Sequence, residues 1–252
     1  MSKQKTPDEL HIHRQKAIKK LDSYLETLID SSDLKMHGKV DKLSYWIEDW
    51  TTFLDFESQF SPMSLRRYKR GEIIKAHLGF NIGSEEGGLH YAVVLDKNNA
   101  KSSPVVTIVP LTSVKPHTDI NKLKKGSIFL GNELFTNLSS KISMNDRELK
   151  SHIIELPKLV DGLTDDNAKE QMKIIDSKLE SANKELDALT RMRREVFKMK
   201  RGSIALVNQI TTISKIRIYD PKTDHDVLSG IKLSNEKLDI IDRELASVFT
   251  NF

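Results

Sequence analysis

Residues Gly83–Leu95 read GSEEGGLHYAVVL: three glycines and two adjacent glutamates, then His90, then a run of strand formers. Glycine in such a loop implies tight turns or a close approach of the backbone to something else. Tyr91–Leu95 is too short for a helix and rich in β-branched and aromatic residues, so a strand is predicted there. His90 then stands at a loop–strand junction, where a functional group gains a rigid mount. Histidine titrates near neutral, with an unperturbed pKa of about 6.5. It can donate to an anion when protonated and take a proton when neutral, so the chemistry on offer is proton transfer.

Other candidates carry less. His77 lies within the preceding β-rich run, two residues after Lys75, and is expected to be a core or rim histidine. Arg70 opens the same run and could touch a phosphate or simply face solvent. His11 and His13 on a helix would point to different faces, so no metal site is expected between them. Glu72 and Asp96 are separate strand-end acids, not the clustered carboxylates a metal-dependent nuclease needs. No metal and no cofactor are expected.

The elements that must position these residues come in three textures. Residues 1–65 form a helical extension. Ala17, Ile18, Leu21, Tyr24, Leu25, Leu28 and Ile29 recur at helical spacing, SSDLKMHGK interrupts, and Leu43, Trp46, Ile47, Trp50, Phe53 and Leu54 line a second helix. From about Arg66 the runs KRGEIIKAHL, HYAVVL, VVTIVPL and GSIFLG are short, β-rich and separated by turn residues. SIALVNQITTISKIRI, residues 203–218, resumes that character after a long gap, which points to a small barrel or sandwich. The gap holds one long helix. Thr164 is its expected N-cap, with Asp165 and Asp166 in the first turn. Met172, Ile175, Leu179, Ala182, Leu186, Leu189 and Val196 form its apolar seam, and Arg191, Arg193, Arg194, Lys198, Lys200 and Arg201 make its end basic. Such a seam requires a partner, either the N-terminal helices or another chain. A last amphipathic helix carries Leu238, Ile241, Leu245 and Val248 after Ser234. The expected domains are thus 1–65, a split barrel of 66–156 and 200–252, and an inserted helix at 157–199.

Composition bounds the class. Forty Lys and Arg face 36 Asp and Glu among 252 residues, a net charge of +4, with a pI of about 9.0. That excess allows a nucleic-acid partner without demanding one. Cysteine is absent, which excludes disulfides and thiolate metal sites and fits a reducing compartment. The first twenty residues lack the apolar region of a signal peptide. No apolar stretch approaches the ~20 residues of a membrane span. A cytoplasmic protein without a membrane partner is expected.

Lys69–Ser113, KRGEIIKAHLGFNIGSEEGGLHYAVVLDKNNAKSSPVVTIVPLTS, resembles the MazF/PemK family of toxin endoribonucleases. The family pattern is a basic-Arg-Gly-acid strand, a GSEQGG loop, a strand ending near Asn and a strand finishing in PLTS. All four parts stand here in order. SIALVNQITTISKIRI and LSNEKLDIIDREL are similar to the family's later strand and closing helix. The resemblance implies an α+β fold built on an SH3-like small β-barrel, usually homodimeric. It implies cleavage of single-stranded RNA without metal: the ribose 2′-hydroxyl attacks the adjacent phosphorus, leaving a 2′,3′-cyclic phosphate and a 5′-hydroxyl. A cognate antitoxin that blocks the RNA groove is implied as well.

The family's catalytic threonine falls on Thr112, while its arginine falls on His90 and the proline after that on Tyr91. A second family arginine is replaced in Gln209-Ile210-Thr211. Histidine is chemically a credible substitute, since an internal hydroxyl must lose a proton. The resemblance makes His90 and Thr112 the catalytic pair. Gly87 and Gly88 would let backbone amides reach the phosphate, with Arg70, Ser84, Glu86, Ser113, Gln209 and Thr211 as further RNA contacts. Two other readings stay open: a catalytically silent barrel that binds RNA or protein, and a gyrase poison on the same fold.

Overall fold

The computed structural model describes residues 5–161, 168–200 and 202–251. Two compact units divide the chain, Met1–Ser58 and Gln59–Phe252. In the first, α1 (Pro7–Ile29) and α2 (Leu34–Glu57) pair. Thr6 caps α1, its side chain accepting from the Glu9 amide while Glu9 reaches back to the Thr6 amide. Asp33 caps α2 by accepting from the Lys35 amide, so the break between the helices is shorter than expected and KMHGK is helical.

The second unit is built on seven antiparallel strands: β1 (Ile73–His77), β2 (Leu89–Val94), β3 (Val105–Ser113), β4 (Ser127–Gly131), β5 (Ser203–Leu206), β6 (Thr211–Ser214) and β7 (Ile218–Asp220). Their order is β4-β5-β3-β2-β1-β7, with β6 also on β3. One edge of β3 is shared: residues 111–113 pair with β5 and residues 105–108 with β6. Pro110, which has no N–H to give, lies between the two partners. The strands after the gap therefore rejoin the first sheet. Among the described residues β4 and β7 do not pair, so the expected closed SH3-like ring is not formed by hydrogen bonds; the sheet is open.

Both faces of this sheet are buried, which is why its strands read as nearly continuous apolar runs. Ile73, Val93, Val109 and Leu111 face one cluster, which α5 (Asn235–Phe249) covers with Leu238 and Ile241. Ile74, Ala92, Val94, Val106 and Ile108 face the other, with Tyr68, Ile213 and Ile218. Ser234 caps α5 through the Lys237 amide.

The insertion differs from expectation. Residues 133–156 are not barrel: α3 (Glu133–Asp161) begins two residues after β4, and α4 (Ala168–Lys198) runs back beside it. The partner of the α4 seam is thus α3, not the N-terminal helices. Leu134 and Leu138 anchor the base of α3 in the sheet's core, whereas Leu149, Ala182 and Leu189 form a separate cluster along the pair. Asp146–Arg193 (2.7 Å), His152–Glu185 (3.0 Å) and Glu155–Lys178 (2.7 Å) follow in antiparallel order. The expected seam splits by register: Ile175, Ala182 and Leu189 are buried, while Met172, Leu179 and Leu186 stay exposed. Thr164, Asp165, Asp166 and Arg201 lie outside the described residues.

Candidate active-site cleft

A cleft of about 280 Å³ lies at the ends of β1, β2 and β3, lined by His90, Thr112 and Ser113 among others. Tyr91 pairs with Leu111, so the next step of the antiparallel register sets His90 opposite Thr112. The His90 Nδ1 is 3.2 Å from the Leu111 carbonyl oxygen, and a carbonyl can only accept, so Nδ1 carries the hydrogen. That leaves Nε2 as the nitrogen without a hydrogen when the ring is neutral. It lies 3.5 Å from Glu86 Oε2. Neutral, Nε2 is a proton acceptor; protonated, it has a carboxylate beside it.

The GSEEGG loop is held to a second cleft, where Glu86, Gln209 and Thr211 meet. Gln209 Oε1 accepts from the Glu86 amide and its Nε2 donates to the Ser84 carbonyl, both at 3.2 Å. Ser84, Glu86, Gln209 and Thr211 thus form one neighbourhood, and Glu86 joins it to His90. Arg217, six residues beyond Thr211, lines the same cleft and donates Nε–H to the His77 carbonyl at 2.7 Å. Sequence reading passed over it; the cationic Lys-Ile-Arg directly after β6 was the available signal.

Two expectations are corrected. The Gly88 amide donates to the Gly79 carbonyl at 2.7 Å, so it is engaged within the chain and not held out for a phosphate. Gly87 is required by that same backbone: a Cβ there would stand 2.8 Å from the Gly79 oxygen. Arg70 is not brought to the cleft. It precedes β1 at the end opposite His77, where it binds the Leu95 carbonyl and Asp242.

One constellation was not anticipated. Glu195, from the last turns of α4, reaches into the His90 cleft and accepts from both Lys75 Nζ and the Tyr91 hydroxyl. Burial pushes the Glu195 carboxyl up, but these two donors outweigh it and leave the group below the usual carboxylate range. Burial and the same carboxylate push the Tyr91 phenol well above its ordinary value. Glu195 is therefore ionised and Tyr91 neutral. Lys75 also lies over the Tyr91 ring, 5.3 Å from its centre. The one signal in the sequence was Glu195 as the sole acid between Arg191 and Arg201. Among the described residues no three His, Asp or Glu converge as metal ligands, and no helix is long and apolar enough to cross a membrane.

No curated protein matches the chain. Residues 69–153, about a third of it, match the profile of a family described as PemK-like, MazF-like toxin of type II toxin–antitoxin system. The match runs from the residue before Arg70 into α3 and takes in the GSEEGG loop, His90 and Thr112. The segment that carries the facing histidine and threonine is thus similar to the PemK-like, MazF-like toxins of type II toxin–antitoxin systems.

Proposed function

We propose that the protein is a toxin-type endoribonuclease that cleaves single-stranded RNA by internal attack of a 2′-hydroxyl, on a scaffold related to the SH3-like barrel but with its sheet left open. The observation that carries this reading is His90 set opposite Thr112 across β2 and β3 at one cleft, with Nδ1 tied to a carbonyl and Nε2 3.5 Å from Glu86. Neutral Nε2 takes the 2′-hydroxyl proton as the 2′-oxygen bonds to phosphorus. The imidazolium, steadied by Glu86, returns a proton to the 5′-oxygen as its bond to phosphorus breaks. Thr112 donates to the charge developing on a phosphoryl oxygen. The products are a 2′,3′-cyclic phosphate and a 5′-hydroxyl, with no metal in the step. The family supplies the rest of the reading: a cognate antitoxin competing for the cleft, a cytoplasmic setting and a homodimer.

A silent barrel is the competing reading, and the engagement of Lys75 by Glu195 and of the Gly88 amide by Gly79 favours it. Cleavage of single-stranded RNA in EDTA separates the two. The wild-type protein is expected to leave cyclic phosphate ends. His90→Ala is expected to lose about 10²–10⁴ in rate, and Thr112→Ala about 10²–10³, with unchanged circular dichroism. Wild-type rates from His90→Ala would sink the mechanism. A His90→Arg variant faster than the parent would make histidine a weakened substitute for arginine.

A further inference from the structure

Two clefts lie side by side under the last turns of α4. One holds His90 and Thr112; the other is lined by Arg191, Arg194, Tyr219, Asp220 and Asp226, and both share Lys75, Glu195 and Lys198. The cleft lined by Arg191 and Arg194 has no part in the chemistry proposed above. Its composition is nevertheless specific. Arg191, Arg194 and Lys198 are exposed, and none is in an ion pair among the described residues. Tyr219 is 65% exposed, and Lys75 Nζ lies 5.9 Å from its ring centre. Asp226 accepts the Lys222 and Thr223 amides through Oδ2, each at 2.7 Å, which leaves Oδ1 for another donor.

We propose that this second cleft is an RNA subsite, with the inserted helix α4 as the outer wall of the substrate path. The proposal rests on the endoribonuclease reading and extends it to a neighbouring nucleotide. A phosphate takes the two arginines, which offer forked donors. A base stacks on the open face of Tyr219, an interaction tolerant of sequence. The free Asp226 oxygen accepts from a base amino group or a 2′-hydroxyl. An acidic peptide would match the cations but would meet the Asp220 and Asp226 carboxylates, whereas a nucleotide uses both signs of charge and the ring. Glu195 has a role in this arrangement: through Lys75 and Tyr91 it pins the wall to the floor of the path.

The test uses the full chain and a fluorescent 12-nucleotide random-sequence 2′-O-methyl RNA, which lacks the attacking hydroxyl. Anisotropy is followed between 50 and 200 mM KCl. The Arg191→Ala/Arg194→Ala variant is expected to bind at least about tenfold more weakly, with the slope of log K against log salt reduced by about 0.7, the value for one lost phosphate. Tyr219→Ala is expected to bind about 5- to 150-fold more weakly with its salt slope kept. These side chains are exposed, so unchanged circular dichroism is the control for folding. If wild type binds the RNA and both variants match it in affinity and slope, the subsite is overturned while the endoribonuclease reading stands. If wild type neither binds nor cleaves RNA, both fall. If the arginine variant keeps RNA but loses an oligoglutamate peptide that wild type binds, the cleft serves an acidic protein and the RNA subsite is overturned.

Discussion

Gly87 and Gly88 are neighbours with different reasons for being glycine. At Gly87 a side chain would collide with the Gly79 carbonyl, a fixed backbone atom. At Gly88 there is open space, but φ is +84°, where a side chain strains the backbone. Gly88→Ala is therefore expected to cost about 1–2 kcal/mol by strain alone. Gly87→Ala must also push the loop off the Gly79 turn, at about 1–3 kcal/mol for overpacking. Because Glu86 sits next to Gly87 and beside His90, Gly87→Ala is further expected to slow RNA cleavage more than Gly88→Ala does. Urea titration and single-turnover rates on the two variants check this; equal rates would mean that the loop does not position Glu86. The sequence motif was enough to mark these glycines. The identity of the close neighbour was not readable, since Gly79 and Gly87 meet only when β1 and β2 pair.

At the scale of elements, α4 was legible as a helix and illegible as a wall. Its apolar spacing predicted the helix, because periodicity is local. The burial of Ile175, Ala182 and Leu189, but not of Leu179 and Leu186, depends on where α3 lies, and no residue of α4 reports that. The contact that seats its end is Glu195 with Lys75 and Tyr91. Replacing Glu195 by Gln removes the charge shared by both donors in a half-buried site, and is expected to destabilise by about 1.5–3 kcal/mol at neutral pH. The folded-state pKa of Glu195 is depressed, so its contribution is present above the unfolded carboxyl pKa of about 4.3 and is lost as pH falls through the lower folded value. Wild type and Glu195→Gln should thus differ at pH 7 and converge in acid once the pH has fallen below the folded value. Denaturant titrations at both pH values measure this, and a gap unchanged in acid would deny Glu195 its charged role.

For the whole molecule, the division at Ser58 makes a direct prediction. Residues 59–252 hold both core clusters that flank the sheet, so this fragment should fold cooperatively, with a denaturation midpoint close to that of the full chain. An unfolded or molten fragment, judged by near-ultraviolet circular dichroism, would contradict the division. What the sequence by itself determined is the local character of the chain: helices by their 3.6-residue period, strands by apolar β-branched runs, and the PemK/MazF-like segment, with His90 and Thr112 in it, by four ordered motifs. These depend on residues close together along the chain, where side-chain pattern and backbone conformation are directly linked. The tertiary structure alone decided that residues 133–161 leave the sheet to cover α4, that β4 and β7 do not pair with each other among the described residues, and that Arg70 belongs to a contact with α5. It alone carried Glu195 to Lys75 and Tyr91, across 120 and 104 positions. Contacts between segments so distant are selected by the packing of the whole core, and no local pattern encodes which partner prevails.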